Sequence, residues 1–136
     1  AMSLIRLLEL PIFGDGRGDL VSIEAGKHIP FEIKRVYCLF NLADHPRGMH
    51  SHRQLQQLAF CVHGSCRFIL DDGVDREEVV LSRPTQGLLI GNLIWREMHD
   101  FSDDCVIMVL ASEHYDESDY IRNYDVFLDV VRSENK

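Results

Sequence analysis

With 136 residues, 46% of them apolar, the chain can bury one real hydrophobic core but is short for two domains. A net charge of −8 argues against a nucleic-acid backbone as partner, and no run reaches the roughly 18 uninterrupted apolar residues of a membrane span. Neither a nucleic acid nor a membrane is therefore expected. Ala1 stands before Met2 and is set aside, and no charged-then-apolar leader is read after it. The four cysteines, Cys38, Cys61, Cys66 and Cys105, form no CxxC pair and sit in apolar runs, so they read as buried free thiols of a reducing, cytoplasmic setting.

Taken in chain order, the expected strands are Leu4–Leu10, Leu20–Glu24, Arg35–Leu42, Gln57–His63, Ser65–Asp71, Glu78–Ser82, Gly87–Ile90, Ile94–Met98 and Cys105–Ser112. Between them lie turn signals: Gly14-Asp15-Gly16, His63-Gly64, Asp71-Asp72-Gly73 and Arg83-Pro84. Glycine accepts the positive φ of tight primed turns, so the Asp-Gly pairs read as hairpins. Many short strands at near-regular spacing imply an all-β sandwich or barrel. The period then changes, because Tyr120, Ile121, Tyr124, Phe127, Leu128 and Val131 recur at helical spacing. With Ser118 as a cap and Asp119 near the positive end, one C-terminal helix over about 118–133 is expected. The whole chain, 1–136, reads as a single domain.

The densest polar constellation is Pro46-Arg47-Gly48-Met49-His50-Ser51-His52. On an extended chain, residues two apart point to the same face, so His50 and His52 can act together on a metal or in paired proton transfer. The spacing alone is also compatible with two exposed loop histidines. A glycine before HxH, then a short gap and an apolar strand ending in glycine, is the layout of the first cupin motif. Where metal cupins place a carboxylate after the second histidine this chain has Gln56 and Gln57, and where the second motif supplies a histidine it has Arg96. A guanidinium has no lone pair to offer, so no metal is expected. Arg35 and Tyr37 alternate onto one face of their strand, either inward or toward solvent. Arg47 and Arg67 add cations, and arginine's planar fork suits phosphate. His63 reads as a turn residue, and His28, His45 and His114 as surface.

Five blocks together resemble the dTDP-4-dehydro-6-deoxyglucose 3,4-ketoisomerases: Ile33–Tyr37, Pro46–His52, Gly64–Gly73, Trp95–Phe101 and Tyr115–Arg122. The resemblance runs from about Gly16 to Phe127. It implies a cupin (jelly-roll) β-barrel, a homodimer with exchanged N-terminal strands and a dTDP-linked keto sugar as substrate. It places the catalytic groups at His50, His52 and Tyr37. The substrate-binding groups are then expected among Arg35, Arg47, Gln57, Arg67 and Arg96, with no cofactor. One departure stands out: the family usually reads Trp-His-Glu-Met-His, and here Arg96 replaces the first histidine.

Moving a ketone from C4 to C3 needs a base to take the C3 proton, an enediol(ate), and an acid to return a proton at C4. An imidazole with an unperturbed pKa of about 6.5 can do both. Two alternatives stand beside this reading: a sugar-nucleotide epimerase, which would invert a centre without moving the ketone, and a non-catalytic sugar-nucleotide-binding cupin.

Overall fold

A computed structural model describes residues 4–135. Twelve strands and one helix follow in order: β1 (Arg6–Glu9), β2 (Ile12–Gly14), β3 (Asp19–Val21), β4 (Arg35–Leu39), β5 (Arg47–His52), β6 (Gln57–His63), β7 (Cys66–Asp71), β8 (Arg76–Leu81), β9 (Gln86–Ile90), β10 (Trp95–His99), β11 (Val106–Ala111), β12 (Tyr120–Ile121) and α1 (Tyr124–Glu134). Two five-stranded sheets, ordered β1-β9-β6-β11-β4 and β12-β5-β10-β7-β8, carry the fold, and β2 and β3 form a separate two-stranded hairpin. All named pairings are antiparallel.

Alternation along the strands builds the core. In β7, Cys66, Phe68 and Leu70 are buried while Arg67 and Ile69 turn to the other face. These inward residues meet Ala59 and Cys61 of β6, Leu88 and Ile90 of β9, and Ile107 and Val109 of β11. Cys61, Cys66 and Cys105 are buried, with the first two sulfurs 3.6 Å apart. Cys38 is a correction to the expectation of four buried thiols: it is exposed, because it shares the outward face of β4 with Val36.

Most expected strands are present, several trimmed at their ends. The Asp71–Gly73 turn joins paired neighbours β7 and β8, whereas His63-Gly64 and Arg83-Pro84 carry the chain from one sheet to the other. Three strands were not expected: β2, β5 and β12. The helix also starts later than expected. Ser118 lies in a 3₁₀ turn, Glu117–Asp119, whose cap is Asp116. Tyr120 is extended (ψ 141°) and pairs with His52 of β5. The helix cap is Asn123, whose side-chain oxygen accepts from the Val126 N–H at 3.1 Å. The helix packs Phe127 and Val131 on Trp95 and Ile121.

The Trp95–His99 block is divided between the two faces of β10. Trp95 Nε1 and His99 Nε2 both meet the Glu97 carboxylate, each at 2.9 Å, and Arg76 joins it at 2.8 Å. Arg76 also holds Asp71, which accepts from the Tyr124 hydroxyl of the helix at 2.7 Å. The opposite face carries Arg96 and Met98 inward.

Candidate active site

His50 and His52 lie on β5, next to β10 on one side and β12 on the other. Arg96 is directly across from His50, and Tyr120 from His52. The backbone just before His50 is unusual, with Gly48 and Met49 both at positive φ (83° and 57°) and a bulge opposite them between Arg96 and Glu97. A bulge re-aims the side chains that follow it. A Cβ at position 48 would meet the Arg96 carbonyl oxygen at 3.0 Å, so this close approach favours glycine.

The Gly48 carbonyl accepts from His50 Nδ1 at 2.8 Å. A carbonyl can only accept, so His50 carries its proton on Nδ1 and keeps a lone pair on Nε2. The two imidazoles meet edge to face with centroids 4.8 Å apart, and the Tyr120 ring lies 5.0 Å from His50 and 4.3 Å from His52. Burial, followed by the nearby Arg96 charge, holds His50 down to about 4 and His52 lower still, to about 2. Both rings are therefore neutral bases at neutral pH.

Tyr37, Gln57 and Arg96 form a chain. Arg96 Nη1 donates to Gln57 Oε1 at 2.6 Å, which fixes the amide so that its Nε2 donates to the Tyr37 oxygen at 2.9 Å. The phenol already accepts there, so its own proton is free for a ligand. Burial raises Tyr37 above its ordinary pKa, so it stays protonated. Arg96 is 2% exposed and also donates Nε and Nη2 to the Ile94 carbonyl at 3.2 and 3.0 Å.

Two adjoining clefts open over Tyr37 and the two histidines. One, of about 490 Å³, is bordered by Arg35, Tyr37, Arg47, His50, Tyr120 and Arg122. The other, of about 520 Å³, is bordered by Arg35, His52, Gln54, Asp119 and Tyr120. Arg35 faces inward with Tyr37, not solvent; its guanidinium lies 5.3 Å from the Tyr37 ring and 5.6 Å from that of Tyr115, and its buried Nε has no hydrogen-bond partner. An orphaned buried donor in an arginine-lined cleft suits an anion.

Of the residues singled out from sequence, the fold brings together His50, His52, Tyr37, Arg35, Gln57 and Arg96, with Arg47 at the rim. Arg96 lines neither cleft and works from behind Gln57. Arg67 stands apart: it points to the outer face of β7 and is paired with Asp100 at 2.8 Å and Glu78 at 2.9 Å. Sequence reasoning missed Tyr115, Asp119, Tyr120 and Arg122 as site residues. The signal was in the Tyr115–Arg122 block, one of the five that carry the resemblance, whose residues from Ser118 onward also fall in the expected helix. Here Glu117 ties the segment down, accepting from Arg122 and from the Tyr115 hydroxyl, while Arg122 stacks 4.2 Å over the Tyr120 ring.

Comparison with known proteins agrees with this geometry. Residues 3–132 match the family model described as FdtA: WxcM-like, C-terminal. A TDP-4-oxo-6-deoxy-alpha-D-glucose-3,4-oxoisomerase of Aneurinibacillus thermoaerophilus is 57% identical over 83% of this chain and 82% of its own length. Among solved structures, a His-to-Asn mutant of the 3,4-ketoisomerase QdtA from Thermoanaerobacterium thermosaccharolyticum, in complex with TDP-4-keto-6-deoxyglucose, superimposes with a TM-score of 0.93. It is 42% identical over 98% of this chain and 97% of the other. The WlaRB TDP-quinovose 3,4-ketoisomerase of Campylobacter jejuni is 46% identical, with a TM-score of 0.90 over 94% of this chain and 99% of the other. An antiparallel two-sheet fold, two neutral histidines beside a protonated tyrosine, and these matches lead to one conclusion: the chain belongs to the cupin-type sugar-nucleotide 3,4-ketoisomerase family.

Proposed function

We propose that the chain isomerises a TDP-linked 4-keto-6-deoxyhexose to its 3-keto isomer, using the two histidines and Tyr37 and no metal. The carrying observation is a pair of neutral imidazoles and a phenol whose proton is uncommitted, with His50 and Tyr37 on the cleft rimmed by Arg35, Arg47 and Arg122 and His52 on the adjoining one. One imidazole takes the C3 proton, and the electrons move into the C4 carbonyl to give an enediolate. Tyr37 and Arg35 offer hydrogen bonds to the charged oxygen. Proton return at C4, loss of the O3 proton and protonation of the C4 oxygen leave a hydroxyl at C4 and the ketone at C3, with no net change in protons. The arginines of the cleft grip the diphosphate, and that positioning supplies rate beyond the roughly 10²–10⁴-fold of acid–base catalysis itself.

The donor set does not fit a divalent metal. At the positions where metal cupins supply further ligands, Gln57 gives its carbonyl oxygen to Arg96, and Arg96 is a cation without a lone pair. The test is incubation with TDP-4-keto-6-deoxyglucose followed by NMR. A product with the ketone at C3, formed equally well after exhaustive EDTA treatment, is expected. A retained C4 ketone with an inverted neighbouring centre, or no reaction, would overturn the activity, and loss of turnover on chelation would overturn the metal-free chemistry.

We also infer a homodimer, in which the exchanged segment is the β2–β3 hairpin. β1 already pairs with β9 of its own chain, whereas the hairpin joins neither large sheet. It exposes Ile12, Phe13 and Leu20 at 53, 61 and 56%. Clustered exposed apolar residues on a small free hairpin seek a partner surface. Light scattering at micromolar concentration should give twice the chain mass, and Phe13→Asp should shift it toward monomer. A monomeric native chain would exclude this assembly.

A further inference from the structure

The two histidines differ in one respect. His50 has its Nδ1 satisfied by the Gly48 carbonyl, whereas His52, 1% exposed, has a buried Nδ1 with no hydrogen-bond partner. Leaving such an atom unpaired in the interior is costly. What faces it is a carboxylate: Asp119 Oδ2 lies 3.5 Å away.

That carboxylate is held in place. Asp119 Oδ1 accepts from the Gln54 N–H at 2.9 Å and Oδ2 from the Leu55 N–H at 3.2 Å, while the Asp119 carbonyl accepts from the Arg53 N–H at 3.0 Å. The 3₁₀ turn and the loop after β5 are thus locked together, with the acid aimed at the imidazole. Arg96 of β10, His50 of β5, Arg35 of β4 and Arg122 beyond β12 all disfavour a cationic ring, and the Tyr120 ring of β12 lies 4.3 Å from the imidazole. Asp119 supplies the opposite sign.

We propose that Asp119 is a positioning residue for His52. It accepts a hydrogen bond from Nδ1–H, fixes the tautomer with the lone pair on Nε2, and steadies the ring when it transiently carries a second proton. A shift of about half an ångström would bring 3.5 Å into ordinary hydrogen-bond range. His50 is oriented by a backbone carbonyl and His52 by an acid, and the acid offsets part of the burial and positive charge that hold His52 below His50. The turnover part of this inference rests on the ketoisomerase reading; the tautomer part does not.

The test uses Asp119→Asn, which keeps one of the two oxygens that accept the Gln54 and Leu55 N–H groups and removes the charge. The kcat should fall at least about 10-fold with KM nearly unchanged, by analogy with acids that orient a catalytic imidazole. In a His52→Asn background, where the ring is absent, the same change should cost nothing further. In parallel, ¹⁵N NMR of labelled histidine should show His52 protonated on Nδ1 in the native chain and a changed tautomer balance in the variant. Unchanged kcat, an equal loss in both backgrounds, or a native His52 protonated on Nε2 would each overturn the proposal. If the chain proves not to isomerise the sugar, the tautomer measurement still decides whether Asp119 orients the ring.

Discussion

Replacing either histidine of β5 by asparagine should lower turnover at least about 10²-fold, the low end for a lost general acid or base. Asparagine retains polar contact and part of the ring's volume but cannot exchange a proton near neutrality. His50→Asn can still place an amide N–H on the Gly48 carbonyl, so the strained Gly48–Met49 backbone keeps its local partner. His52→Asn loses ring contacts to Tyr120 and His50, and its folding is to be checked by thermal melting. Binding should suffer less than rate, since the arginines around the cleft are untouched; this separates loss of chemistry from loss of the site. Steady-state kinetics with NMR-detected product settles it, and near-native turnover in both variants would remove the pair from the mechanism.

Much of this site was legible in the chain because strand geometry is simple. A period of two puts His50 with His52 and Arg35 with Tyr37 wherever those segments are extended. Composition and turn signals were likewise enough for a two-sheet β fold. What failed was local. Tyr120, Ile121, Tyr124 and Phe127 fall at helical spacing although the first two are a strand, since two elements meeting end to end can imitate one longer period. Ser118 and Asp116 are both good capping residues, and the acid took the 3₁₀ turn. Arg67 illustrates a different limit. Its partners Asp100 and Glu78 come from 33 and 11 residues away, so no local pattern reveals that its charge is engaged outside the cleft. Asp119 was visible only as an acid near a helix start; its approach to His52 depends on the pairing of β12 with β5.

Replacing Arg96 by methionine should lower activity, move the acid limb of the pH profile upward, and leave the fold no less stable. Arg96 is fully enclosed, and its charge is met by carbonyl oxygens of Ile94 and Gln57, with no ion pair to a carboxylate among the described residues. Burial holds its pKa down to about 10 from 12.5, so it stays charged at neutral pH. At about 1.4 kcal/mol per unit, that displacement is a cost of roughly 3 kcal/mol. Exchange of such a buried cation for an apolar side chain of similar length is often neutral or stabilising, and the Gln57 oxygen left unpaired offsets part of the gain. The same charge acts on the histidines. It is the second largest cause, after burial, of their low affinity for protons. His50, at about 4 in the folded chain and about 6.5 when unfolded, contributes stability that is complete above about 6.5 and is lost as pH falls through 4. The native acid limb of kcat/KM should accordingly lie near 4 rather than 6.5. Without Arg96 the rings bind protons more readily, so both the kinetic limb and the acid-unfolding midpoint should shift, the first toward higher pH and the second toward lower. The rate should fall because the Arg96–Gln57–Tyr37 chain that leaves the phenol proton free is broken. A pH profile and melting temperature measured on the same variant test both sides, and an unmoved acid limb with full activity would make Arg96 a passive part of the core.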